Sequence, residues 1–399
     1  MGRVRIEDVR ALTAPEGRAL LAALPAYRDA DALALGERLR RHGVDPAFAA
    51  ALLTQARLRE RAREKLGPDA ARLLLTSDGL EQATRPEVAR RRAERLAATV
   101  GEAALVADLG CGIGTDTTAY AAAGLRVLAV ERDPVTAAVA TANVAALGLA
   151  DRVEVRCSDL REVDLSGVDA AYVDPARRGD GRRSRDPEEW SPPWSGVRAL
   201  ADRVPLVVKA APGIAHGLVP PGADAEWVSV DGDVVEACLW MGRLARHGRR
   251  SAALLPSGAV LEDGRTPPPG AAAPLGYLYE PDGAVIRAGL VAEAAALVDG
   301  LLVDPTIAYV TSARLVATPF LTAYQVLEAV PFSLRRVRDL ARSRGAGDLV
   351  VKKRGTAVVP ETFRTQVLTG LPTRGRGPTL TVVLTRVLGQ HAALLVEPV

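Results

Sequence analysis

A chain of 399 residues is long enough for two or three cores, at roughly 100–200 residues per domain. With 48% hydrophobic and 25% charged residues it is neither disordered nor fibrous in composition, and no apolar run approaches the roughly 18 residues of a membrane span. The formal net charge of +3 excludes a global polycation, so contact with nucleic acid would rest on local arginine clusters.

Residues 1–75 read as helical. The stretches 33–41 and 48–66 place apolar residues at helical spacing among Ala, Arg and Glu, and Gly67-Pro68 stops the pattern. The opening residues, Met1-Gly2-Arg3-Val4-Arg5-Ile6-Glu7, lack the apolar stretch of a secretory signal, so a cytoplasmic location is expected. A further helix is predicted over 86–99, with Pro86 in its first turn after Thr84 as cap. From Ala103 the texture changes. Strands are predicted over 104–108, 125–131, 153–158, 170–174 and 205–209, with helices over 116–123 and 134–147. This alternation predicts a parallel sheet covered on both faces. Such sheets bind ligands at the carboxyl ends of their strands, where strand order reverses.

Residues 256–276, with Pro267-Pro268-Pro269-Gly270 inside them, read as a loop or linker. A second mixed α/β region comes after it. Residues 284–302 are helical in their later part, 307–310 form a strand, 321–327 and 333–343 are helical, and 349–352, 380–388 and 392–397 are strands. Cys111, Cys157 and Cys238 are odd in number and far apart, and buried packing is expected of all three. The four histidines do not cluster at metal-ligand spacing, so no metal site is expected.

The strongest motif is Val106-Ala107-Asp108-Leu109-Gly110-Cys111-Gly112-Ile113-Gly114-Thr115. An apolar strand ends in an acid, and three alternating glycines lead into a helix. Close approach of backbone to a ligand requires this, since any Cβ would block it. Thr115 stands where a dinucleotide fingerprint, G-x-G-x-x-G, has its third glycine. Glu131 ends the next strand, where a carboxylate can take both ribose hydroxyls. Ser158-Asp159 ends the third, where a carboxylate can accept from an adenine amino group.

Residues 108–114 with Glu131 and Asp159 resemble the class I S-adenosylmethionine (SAM)-dependent methyltransferase series. The resemblance covers roughly residues 76–248 and implies a seven-stranded sheet with SAM across its carboxyl ends, held by Asp108, Gly110, Gly112, Gly114, Glu131 and Asp159. After the fourth strand, Val173-Asp174-Pro175-Ala176-Arg177-Arg178 resembles the Asp/Asn-Pro-Pro-aromatic motif of class I enzymes that methylate planar amino groups. An Asp carboxylate in a fixed Asp-Pro turn can accept hydrogen bonds from the attacking amine and orient its lone pair. Asp174 and Pro175 are therefore the expected catalytic turn. Arg177, in place of the aromatic, is an expected substrate contact through stacking or phosphate binding. The basic run Arg177, Arg178, Arg182, Arg183 and Arg185, followed by Trp190 and Trp194, suits a nucleic-acid strand. Lys209 could border the same cleft, and Gln82, Thr84 or Arg85 could cover the cofactor methionine.

The tail carries Arg335, Arg336, Arg338, Arg342 and Arg344 on a helix, then Lys352-Lys353-Arg354-Gly355. Together with Leu278-Tyr279-Glu280-Pro281, it looks like the THUMP-like domain of a bacterial methyltransferase family of this layout. The expected fold is α/β: a Rossmann-like class I methyltransferase sheet with an N-terminal helical region and a small C-terminal α/β, THUMP-like module. The expected parts are a helical region at 1–75, a methyltransferase domain at 76–248, a linker and mixed segment at 249–332, and the THUMP-like domain at 333–399. The expected function is SAM-dependent methylation of a base nitrogen of RNA (tRNA or rRNA), an exocyclic amine, with RNA as partner and neither membrane nor metal. The alternatives are methylation of a small molecule or protein, and a non-catalytic RNA-binding protein with a vestigial SAM pocket.

Overall fold

Helices α1 (Ile6–Thr13), α2 (Pro15–Ala22), α3 (Ala32–Arg41) and α4 (Pro46–Leu66) form from sequence with strong local signals. Asp45 caps α4 by accepting from the amides of Ala47 and Phe48, Pro46 fills the first turn, and Gly67 ends the helix at φ 64°. In this computed structural model the described residues are 4–176, 178, 179, 182–184 and 186–399. They fall into two units. One takes residues up to Ala210 with Gly217–Ala223 and Cys238–His247; the other takes Ala211–His216, Asp224–Ala237 and Gly248–Val399. No helix among the described residues is long and apolar enough to cross a membrane.

The N-terminal helices pack into the sheet unit. Leu52, Leu58 and Leu66 of α4 share one core with Leu75, Leu80, Ile113 and Val139, so the region expected at 1–75 is continuous with the sheet unit. Two amides fasten the join. Gln55 donates to the carbonyl of Leu75 (2.8 Å) and accepts from its amide (2.9 Å). Asn143 accepts from the amide of Leu74 (2.7 Å) and donates to the carbonyls of Leu74 (3.0 Å) and Ile113 (2.9 Å). The extended segment leading to α5 (Ser77–Gln82) thus has its backbone satisfied by side chains on both sides.

After α6 (Pro86–Val100) the strand–helix alternation appears as expected: β1 (Leu105–Leu109), α7 (Thr115–Ala122), β2 (Arg126–Glu131), α8 (Pro134–Ala146), β3 (Val153–Cys157) and β4 (Ala170–Val173). A short ladder, β5 (Arg178–Gly179) and β6 (Arg182–Arg183), precedes α9 (Trp194–Ala201) and β7 (Leu206–Ala210). The strands run in the order β3-β2-β1-β4-β7, all parallel. Order reverses between β1 and β4, whose last residues Leu109 and Val173 are partners. The turns after β1 and β4 therefore leave the sheet side by side. The seven strands implied by the resemblance are not all in this unit: it holds these five and residues 238–240 of the later strand β9.

In the other unit β8 (Asp224–Val230) pairs in parallel with β10 (Arg250–Leu255), and β10 antiparallel with β11 (Ala259–Glu262); β9 spans Asp233–Trp240. The β11 hairpin falls inside the stretch expected to be a linker. Next come β12 (Tyr277–Pro281), α10 (Gly283–Ala288), α11 (Val291–Ala296), β13 (Leu301–Asp304), β14 (Ile307–Ser312), β15 (Leu321–Pro331), α12 (Leu334–Ser343), β16 (Asp348–Lys353), α13 (Pro360–Leu368), β17 (Thr379–Val387) and β18 (Gln390–Pro398). They build a sheet ordered β13-β14-β12-β15-β18-β17-β16. Several expectations change here. Residues 321–327 are strand, because β15 is paired on both sides, with β12 and β18, and Thr322, Tyr324 and Val326 alternate along it. The boundary expected between 332 and 333 cuts through this single sheet. The helix expected late in 284–302 falls earlier: α10 and α11 stand either side of Gly289, at φ 72°, and β13 begins at Leu301.

Asn143→Leu keeps the volume but strands the buried amide and carbonyl of Leu74, each worth about 1–3 kcal/mol. Urea unfolding of the purified chain should show a loss of that order, and wild-type stability would disprove the role of the clamp.

Candidate active site

The glycine turn is shaped by backbone conformations that only glycine adopts freely. Gly110, Gly112 and Gly114 have φ of 95°, 56° and 86°. The amides of Gly110 and Cys111 both donate to the carbonyl of Val130 at 2.9 Å, pinning the turn to β2. A Cβ at Gly110 or Gly112 would meet no protein atom within 4 Å, since the space beside them is a cavity of about 440 Å³. That cavity runs from Gly79, Gln82 and Ala83 of the N-terminal part, past the turn and Glu131, to Ser158, Asp159 and Asp174.

Asp108 forms its floor. Oδ2 accepts from Thr117 Oγ1, while Oδ1 is buried with no partner among the described residues. Burial first, then the neighbouring charge of Asp116, pushes this carboxyl up to about 7. An unsatisfied buried acceptor on a residue that lines a cavity fits a donor group on a nucleoside-type ligand. Glu131 is held in one pose, Oε2 accepting from Gly112 N (3.1 Å) and Oε1 from Asp133 N (2.9 Å). Asp159 also lines the cavity, but its carboxylate is fastened to Arg161: it accepts from the amide (2.9 Å), from Nε (2.9 Å) and from the terminal nitrogen (2.7 Å). Those bonds hold it well below the usual carboxylate range. An adenine amino group would share this carboxylate with a guanidinium.

The turn after β4 adjoins the same space. Asp174 lines the cavity and accepts from Lys209 Nζ at 2.7 Å; Pro175 behind it is buried. Lys209 also donates to Thr84 Oγ1 (3.1 Å), and Thr84 donates to Asp116 Oδ2 (2.8 Å). Asp116 is buried and further bonded by Arg92 (2.5 Å) and Tyr172 Oη (3.2 Å). The positive charges of Arg92 and Lys209 and the hydroxyl of Thr84 lower the Asp116 carboxyl despite its burial. Arg92 and Asp116 were not singled out from the sequence. Asp116 had one signal, an acid in the first turn of the helix leaving the glycine turn. Arg92 had none, standing in an Arg90-Arg91-Arg92 run on α6.

Arg177 and Arg185 lie outside the described residues, and so do the side chains of Arg178, Arg182 and Arg183. The two tryptophans expected to serve as stacking platforms are buried against each other, edge to face at 6.0 Å, because the backbone ladder between Ala176 and Ser191 folds the segment back. Ser191, Pro192 and Pro193 line the cavity instead. Cys111 and Cys238 are buried as expected, but Cys157, at the end of the outer strand β3, is exposed. Burial pushes the Cys111 thiol up, with Asp108 and Glu131 adding to the effect.

In the other unit the two tail motifs meet. Glu280 accepts from Lys352 (2.7 Å), lies 3.7 Å from Arg354, and receives Tyr309 and Tyr324 hydroxyls at 3.5 Å. Lys352 and Arg354 are thus spent partly on an internal acid. Arg335, Arg336, Arg342 and Arg344 are exposed; Arg335 and Arg342 flank Asp339, Arg344 reaches Glu328, and Arg338 donates to the carbonyl of Gln366.

The raised carboxyl of Asp108 has a consequence for stability. Between about pH 4 and pH 7 the folded chain holds a proton that the unfolded chain has released, so ligand-free stability falls as pH rises through that window. Asp108→Asn removes this contribution. Without ligand, its melting temperature should gain on the wild type from pH 5 to pH 8, and a constant difference would refute the buried-acid assignment.

Comparison with known proteins places this geometry in a family. A THUMP domain-like family model matches residues 321–398, and a model described as a domain of unknown function matches residues 5–62. A 23S rRNA (uracil(1939)-C(5))-methyltransferase of Acidithiobacillus ferrooxidans is 34% identical over 106 residues, 25% of this chain and 24% of that protein. A structure from Porphyromonas gingivalis W83, described as a methyltransferase, shares the fold at 20% identity with a TM-score of 0.75, covering 94% of this chain and 99% of that one. An uncharacterized SAM-dependent methyltransferase of Mycobacterium tuberculosis (strain CDC 1551 / Oshkosh) is 37% identical over 342 residues, 83% of this chain and 90% of its own length. Similarity of that extent makes this chain a member of the S-adenosylmethionine-dependent methyltransferases, with SAM as cofactor and a THUMP-like domain in its C-terminal part.

Proposed function

We propose that this enzyme methylates a base nitrogen of RNA, an exocyclic amine, with Asp174 accepting a hydrogen bond from the attacking amine. The observation that carries it is the Asp174-Pro175 turn opening into the same cavity as the glycine turn, one strand away. SAM supplies a methyl group made electrophilic by its sulfonium. Asp108 and the glycines would hold the cofactor's backbone-facing side, Glu131 its ribose and Asp159 its adenine. The Asp174 carboxylate, tied on Oδ2 by Lys209, would orient the acceptor's lone pair and take up positive charge as the new bond forms.

Carbon methylation of a pyrimidine would need an attacking thiolate. Cys111 is the cysteine lining the cavity, and its thiol is buried, held protonated and part of the cofactor turn. This favours nitrogen as the acceptor. RNA as the substrate class is supported by the local similarity to a 23S rRNA methyltransferase and by the THUMP-like match. The exposed arginines of α12 are cations suited to phosphate.

Labelled-methyl transfer from SAM into total bacterial RNA, followed by nucleoside analysis, should yield an N-methylated base. Asp174→Ala should lower that rate by about 100-fold or more while SAM affinity stays within threefold. RNA affinity should fall about 20- to 40-fold between 50 and 200 mM salt if three phosphates are contacted. Label appearing only in protein or small molecules would overturn RNA as the substrate.

A further inference from the structure

We infer that Lys209 is a positioning residue for methyl transfer, clamping the Asp174 carboxylate by one oxygen so that the other is presented to the acceptor. This rests on the reading of Asp174 given above. The sheet itself brings the two together: Val173, the last residue of β4, and Val208 of β7 are parallel partners, and Asp174 and Lys209 are the residues that follow them. The ammonium lies 2.7 Å from Asp174 Oδ2. Its own aim is fixed from behind. Thr84 has committed its hydroxyl proton to Asp116, so an oxygen lone pair is left to accept from Lys209 at 3.1 Å.

Asp116 is anchored in turn by Arg92 and Tyr172, so charges alternate along the string: Arg92 positive, Asp116 negative, Lys209 positive, Asp174 negative. The Lys209 side chain is 16% exposed and that of Asp174 35%, so the pair is shielded on the protein side and open on the cavity side. Such a pair is worth more than a solvated one, and its loss leaves Asp174 as a third carboxylate beside Asp108 and Asp116 with one cation fewer. Lys209 is not among the cavity's lining residues, so it acts through Asp174 and not on the reacting atoms.

The test measures label transfer from SAM into a bacterial extract, with RNA, protein and small molecules counted separately, so that the acceptor class need not be known beforehand. Lys209→Met should lower the rate at saturating SAM about 10- to 100-fold, with KM for SAM nearly unchanged. Lys209→Arg, which keeps the donor, should restore most of the rate. In an Asp174→Asn background, Lys209→Met should cost nothing further. Wild-type rate in Lys209→Met beside a crippled Asp174→Asn would overturn this inference alone. Wild-type rate in Asp174→Asn would overturn the reading of Asp174 and this inference with it. A loss in Lys209→Met that Arg does not rescue and that comes with weakened SAM binding would mark Lys209 as structural and overturn the inference.

Discussion

The buried Asp116 carboxylate, neutralised by Arg92, is the interaction on which the catalytic half of the molecule hangs. It gathers α6 through Arg92, the segment before α6 through Thr84, β4 through Tyr172, and β7 through Thr84 and Lys209. A carboxylate at this depth is tolerable only because its hydrogen-bonding capacity is filled and its charge is balanced; removing one partner of such a pair costs about 3–5 kcal/mol. The same string sets the electrostatics of the cavity. Asp116 is kept ionised by its cations, and its charge, added to burial, keeps the proton on neighbouring Asp108 up to about pH 7. Two acids eight residues apart in sequence thus end with opposite tendencies.

The cavity joins two kinds of precision. At the glycine turn it is backbone precision: a turn pinned to Val130, glycines that leave room, and Glu131 locked by that turn. At Asp174 it is side-chain precision, a carboxylate held by a lysine whose direction is decided by a threonine. The N-terminal helices belong to this device. Gln55 and Asn143 fasten the segment that carries Gly79, Gln82 and Ala83 to the cavity, and Asn143 also grips Ile113 inside the glycine turn.

In the other unit an internal acid organises a sheet rather than a cavity. Glu280 on β12 draws Lys352 and the tyrosines of β14 and β15 together, which ties the two sequence textures that suggested a THUMP-like domain into one cluster. The exposed arginines Arg335, Arg336 and Arg342 lie on α12, and Arg344 just after it.

By itself the sequence determined the strand–helix alternation, the glycine turn, the carboxylates at successive strand ends and the Asp174-Pro175 turn. Each is a local signal: a periodicity, a backbone conformation reserved for glycine, or an acid ending an apolar run. Tertiary structure alone decided the rest. Arg92 finds Asp116 across 24 residues, Lys209 finds Asp174 across 35 and Thr84 across 125, and Lys352 finds Glu280 across 72. Residues 321–327 became strand because neighbours came to lie on both sides, and Trp190 and Trp194 turned inward because the chain doubled back beside Ala176. Local propensity reports what a segment tolerates, whereas pairing and burial depend on which distant segment arrives beside it.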